Sequence, residues 1–68
     1  MADRTYELVF YGIEGQVDSE QDYTDRETAF EALRLFDEPD SAELYSRIVL
    51  REYDWQTRTE TELETLAF

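Results

Sequence analysis

One segment of this chain has the apolar spacing of a helix, and it lies between two long runs of strict alternation. In residues 24–37, Ala29, Ala32, Leu33 and Phe36 recur at helical spacing and form a single stripe. Glu27, Glu31, Arg34 and Glu38 fall opposite, with Phe30 and Leu35 on the flanks. Thr24-Asp25-Arg26-Glu27 fits a capping box, with the Thr24 hydroxyl on the free N–H groups and Glu27 reaching back. Asp25 in the first turn suits the helix dipole. Pro39 ends the segment, because the residue before a proline avoids the α region. A short loop is expected over residues 37–41. One helix with one apolar stripe calls for one sheet face to cover it.

The flanking runs supply that face. In residues 5–13, Tyr6, Leu8 and Phe10 share one side of a strand and Glu7, Val9 and Tyr11 the other. In residues 42–55, Leu44, Ser46, Ile48 and Leu50 point one way. Tyr45, Arg47, Val49, Arg51, Tyr53 and Trp55 point the other. Gly12 and Gly15, the only glycines, mark a turn. The polar segment 16–23 is either a hairpin-paired strand or a loop. Residues 57–68 alternate threonine with glutamate, which favours a strand pairing with 44–54 over a short helix. The expected fold is a single two-layer α+β domain, one helix on a mainly antiparallel sheet of three or four strands, in ββαββ or βαββ order.

Composition narrows what such a domain can do. The 68 residues carry six arginines, no lysine, and eighteen acidic residues, for a formal net charge of −12. With no cysteine and no histidine, there are no disulfides, no thiol nucleophile, no imidazole base and no zinc site of the usual type. No segment reaches the ~20 apolar residues of a membrane-spanning helix. The start, Met1-Ala2-Asp3-Arg4-Thr5-Tyr6-Glu7, lacks the basic-then-apolar pattern of a signal peptide. The reading is a soluble cytoplasmic protein that is not an enzyme and needs no cofactor. Its charge repels nucleic acid and anionic lipid and draws it to basic surfaces. Acid of this kind also serves solubility or a salt-adapted proteome, and arginine without lysine fits a GC-rich genome. At 41% hydrophobic and 15% aromatic residues, the chain has enough apolar surface to fold rather than remain disordered.

Four constellations of residues bear on chemistry. The first is the carboxylate array: Glu60, Glu62 and Glu64 as a row at ~6.8 Å intervals on the last strand, Glu27, Glu31 and Glu38 along the helix, and Glu14, Asp18, Glu20 and Asp22 around the turn. Duplex DNA carries one charge per ~1.7 Å of axis, so a mimic needs several such rows. Each acid taken singly is an ordinary solvated residue. The second is the sheet side away from the helix, where Tyr11, Tyr45, Val49, Tyr53 and Trp55 mix with Glu7, Arg47 and Arg51. Aromatics and arginine are enriched at protein interfaces, so a homodimer through this side is one reading. A single-strand nucleic-acid platform is disfavoured by the surrounding carboxylates. In the plainer reading the arginine stems simply cover the apolar surface. The third is Asp18-x-Glu20-x-Asp22-x-Thr24, which resembles the start of a calcium loop. It carries Tyr23 where the loop needs glycine and Ala29 where it needs a bidentate glutamate. The fourth is paired carboxylates for acid–base catalysis, which occur here by abundance alone, without a nucleophile motif or a phosphate loop.

The size, the single α+β domain, the lack of cofactor ligands and the carboxylate excess, with Glu20, Asp22, Glu27, Glu31, Glu60, Glu62 and Glu64 as the nearest concrete match, resemble the small acidic inhibitors of phages and mobile elements, above all anti-CRISPR proteins. Several of those act as DNA mimics on the basic channels of CRISPR surveillance complexes. The resemblance implies a monomer or homodimer in the host cytoplasm whose partner is a basic surface of a Cas subunit. It implies no direct contact with nucleic acid or membrane.

Overall fold

The computed structural model describes residues 3–68. Met1 and Ala2, which open the stretch read as lacking a leader, lie outside the described residues. The elements are β1 (Arg4–Gly12), β2 (Val17–Tyr23), α1 (Arg26–Arg34), a 3-10 turn (Pro39–Glu43), β3 (Tyr45–Asp54) and β4 (Thr59–Ala67). The strands form one antiparallel sheet in the order β2-β1-β3-β4. The fold is thus α+β in ββαββ order, and both ambiguous segments are strands.

The connections explain the layering. β2 and β3 both pair antiparallel with β1, so they run in the same direction with β1 between them. A link between such strands must cross over the intervening one, and α1 makes that crossing and covers one face of the sheet. Under it lie Tyr6, Leu8 and Phe10 of β1 and Ile48 and Leu50 of β3, packed against Ala29 and Leu33 of α1. Burying each large side chain of this set contributes about 1.5–3 kcal/mol. Phe30, Ala32, Phe36, Tyr23, Leu63 and Leu66 close the margin. The β1–β2 turn is held by the Gly12 N–H donating to the Gln16 carbonyl (2.7 Å) and the Gly15 N–H to the Gly12 carbonyl (2.9 Å). Gly15 sits at φ +89°, where a side chain would be strained.

Local details depart from the periodicity. The cap of α1 is Asp25, not Thr24. Its Oδ2 accepts from the Thr28 N–H (2.9 Å) and the Thr28 hydroxyl (2.7 Å), so the side chain that reaches N3 takes the role. The helix closes at Arg34, short of residue 37, and the expected loop contains a 3-10 turn begun by Pro39. Three bulges shift register, each leaving one residue without a partner. They are Asp18 on β2, Ser46 on β3 and Leu63 on β4. A bulge moves every later residue of its strand to the other face, and this bears directly on the candidate site.

Candidate functional site

Away from α1, no element among the described residues covers the sheet, yet its centre is not exposed. Val9, Tyr11 and Val49 form a second buried cluster there. Two arginines make the cover. The Arg47 guanidinium lies over the Tyr11 ring at 4.1 Å, and Arg51 Nη2 donates to the Tyr11 hydroxyl at 2.8 Å. Arg51 Nη1 also stands 3.7 Å from Glu60. Both guanidinium groups thus close on Tyr11, one over its ring and one at its hydroxyl, in line with the plainer reading that arginine covers the apolar surface of this side.

The registers place the rest of the face. From edge to edge, Asp22, Glu7, Arg51 and Glu62 form one row, and Glu20, Val9, Val49 and Thr65 the next. Val17, Tyr11, Arg47 and Ala67 follow, and Thr5 pairs with Tyr53, which pairs with Glu60. Glu20 and Asp22 therefore border the face on β2, and Glu60 and Glu62 border it on β4. The two borders stand three strand spacings apart, ~14 Å. The Glu62 carboxylate accepts from the Thr65 hydroxyl on the same side. Between the borders, the Glu7 carboxyl is held above the usual carboxylate range. Burial is the main cause, then the charges of Glu20, Asp22 and Glu60, opposed by Arg51.

At the Tyr53 end the face carries an aromatic pair, Tyr53 half-buried and Trp55 exposed. The Trp55 ring meets Tyr53 edge-on at 4.6 Å, and its Nε1 donates to the Thr5 hydroxyl at 3.0 Å. Trp55 is nevertheless 58% exposed. Its backbone N–H is fixed too, donating to the Asp3 carbonyl at 2.9 Å.

Two sequence-based groupings require correction. The row Glu60, Glu62, Glu64 is broken by the Leu63 bulge. Glu64 pairs with Leu50 and so takes a position on the helix side, while Glu62 pairs with Arg51 on the open side. The aromatic face loses Tyr45, because the Ser46 bulge turns it towards the helix layer. There its ring packs 5.2 Å from Phe10 and 6.3 Å from Phe36. Ser46 Oγ donates to the Gly12 carbonyl at 2.7 Å and stabilises the irregularity. Tyr11 and Val49 are on the expected side but buried, which leaves Tyr53 and Trp55 as its accessible aromatics.

Every expected acid is exposed: Glu14, Asp18, Glu20, Asp22, Glu27, Glu31, Glu38, Glu60, Glu62 and Glu64. They do not form one surface. Glu27 and Glu31 ride on α1, on the opposite broad face of the molecule from Glu20, Asp22, Glu60 and Glu62. Glu14 lies in the β1–β2 turn, and Glu38 immediately precedes the 3-10 turn. The sequence reading also passed over a helix-side pair. The Glu52 carboxylate, with Arg26 Nη1 at 3.9 Å, sits beside Tyr6. Burial first, and then this charge, push the Tyr6 hydroxyl upward. The pairing of Tyr6 with Glu52 across β1 and β3 could be found only once the register was known. Among the described residues no group of His, Cys, Asp or Glu is gathered to hold a metal ion, and no helix is long and apolar enough to cross a membrane.

Comparison with known proteins gives no match: neither a protein-family model, nor a curated protein, nor a solved structure resembles this chain.

Proposed function

We propose that this protein is an anti-CRISPR-like binding inhibitor, which occupies a basic nucleic-acid-binding surface of a CRISPR–Cas surveillance complex and excludes target DNA. One observation carries the reading. The exposed carboxylates of β2 and β4 border one sheet face in two rows ~14 Å apart, a separation comparable with the ~12 Å width of the DNA major groove. Along each row, alternate carboxylates follow at ~6.8 Å. Such rows stand where two phosphate backbones would meet two tracks of Lys and Arg. Like-charge crowding on a small domain costs stability, so the excess calls for a use.

The test is a gel-shift competition between the protein and DNA for a type I CRISPR surveillance complex. DNA should be displaced, less effectively as salt rises, because the contacts are charge pairs. Unchanged DNA binding at excess protein rejects the reading for that complex. A second reading has its own observation: acids are exposed on both broad faces, as suits a protein adapted to concentrated salt. A large, general rise of the melting temperature in molar KCl, without DNA competition, would favour it.

A further inference from the structure

The sequence offered an acidic surface and an aromatic surface as separate candidates. The fold puts the accessible part of both on one side of the sheet. Tyr53 and Trp55 close one end of the face bordered by Glu20 and Asp22 on one edge and by Glu60 and Glu62 on the other. Trp55 is not a loose side chain. Its indole N–H is bonded to Thr5, its ring is braced by Tyr53 and its backbone is tied to Asp3, yet more than half of its surface meets water. A rigid, exposed tryptophan enters a partner at little entropic cost, and residues of this type dominate binding energy when rimmed by polar groups.

We propose that the helix-free sheet face is the docking surface, with Trp55 as its apolar anchor, Tyr53 as support, and the β2 and β4 carboxylates as a rim that selects a basic protein surface carrying an apolar recess. The assignment rests on the inhibitor reading and adds to it an apolar anchor on the carboxylate-bordered face and the recess that the partner must offer. Charge decides between occupants. A second copy docked face to face would set acidic borders against acidic borders. The two arginines of the face are already engaged, Arg47 on the Tyr11 ring and Arg51 with the Tyr11 hydroxyl and Glu60. A partner rich in Lys and Arg meets neither obstacle.

Charge-matched variants provide the test. One replaces the borders (Glu20→Gln, Asp22→Asn, Glu60→Gln, Glu62→Gln). The other removes as many charges elsewhere (Glu27→Gln, Glu31→Gln, Asp37→Asn, Glu38→Gln). A third is Trp55→Ala, which leaves the charge unchanged. Circular dichroism confirms folding, and affinity for the purified type I complex is read by surface plasmon resonance. The border variant and Trp55→Ala should each bind at least ten-fold more weakly, the helix-side variant within about two-fold of the parent. Equal losses in the two charge variants with none in Trp55→Ala would overturn the assignment while leaving the inhibitor reading intact. Absence of binding by the parent protein would instead remove that reading, and the assignment with it. A stable dimer in sedimentation that Trp55→Glu dissociates would overturn the choice of occupant.

Discussion

The two faces of the sheet bury comparable side chains by different means. Under α1, Leu8, Phe10, Ile48 and Leu50 are sealed by Ala29 and Leu33, so apolar atoms cover apolar atoms. On the other side, Val9 and Val49 are buried with Tyr11, which holds the Arg47 guanidinium over its ring and the Arg51 guanidinium at its hydroxyl. The first cover is a whole element and adds stability that salt hardly touches. The second costs no extra chain, which matters in 68 residues. It also leaves the outer surface of that face polar. A domain too small for a third layer has used two cations as one.

If that contrast is right, the largest effect belongs to the helix side. Leu33→Ala removes the main apolar link between α1 and the sheet, where Leu33 is 1% exposed. A loss of about 3–4 kcal/mol is expected, as for other buried leucines. In a domain of this size that leaves the chain largely unfolded in the absence of ligand, read as loss of a cooperative urea transition. A loss below about 1 kcal/mol would mean that the sheet does not depend on its helix.

Arg47→Ala probes the other cover and should cost less, about 1 kcal/mol for a largely exposed cation on an aromatic ring. It should also expose Tyr11, seen as increased quenching of tyrosine fluorescence in a Trp55→Phe background. Arg47→Lys should restore only part of the loss, because a compact ammonium cannot lie flat on the ring. An unchanged urea midpoint in Arg47→Ala would show that the strands alone keep Val9 and Val49 dry. Ser46→Ala tests the bulge that separates the two faces at this end. Losing the hydroxyl's bond to the Gly12 carbonyl should cost about 1 kcal/mol. It should also let Tyr45 leave Phe10 and Phe36, a change visible in near-ultraviolet circular dichroism.

These residues also mark where sequence reading stopped. The alternation of Tyr6, Leu8 and Phe10 and the stripe of Ala29 and Leu33 were legible, because each side chain follows from its own neighbours at a fixed period. Tyr45 and Glu64 were misplaced, because one unpaired residue on the same strand, Ser46 or Leu63, reversed the parity. No local pattern announces such a bulge; it is settled by the partner strand. The cap failed for a related reason. Thr24 and Asp25 are both good caps, and what decided was that Asp25 reaches two donors of Thr28. In the β3–β4 turn, Arg58 takes φ 56° without being glycine, so the usual marker was absent. The acids were correctly read as exposed, while their division between opposite faces needed the fold.

The smallest effect is also the most specific to the open face, and it lies in Glu7. Its carboxyl is raised above the ordinary range by burial and by Glu20, Asp22 and Glu60, more than Arg51 lowers it. The folded state therefore holds the Glu7 proton more tightly than the unfolded chain does. The linked stability is present below the unfolded carboxylate pKa of ~4.3 and is lost as pH rises through the raised folded value. Glutamine at this position cannot ionise and escapes that loss. Glu7→Gln should thus have a higher urea midpoint than the parent at pH 7, with the gap closing towards pH 4. Added salt should narrow the gap at pH 7, because it screens the part due to the three acids and leaves the part due to burial. A lower midpoint for Glu7→Gln at pH 7 would mean that Arg51 outweighs both causes. The central row would then be a balanced ion pair rather than a strained carboxylate between two acidic borders.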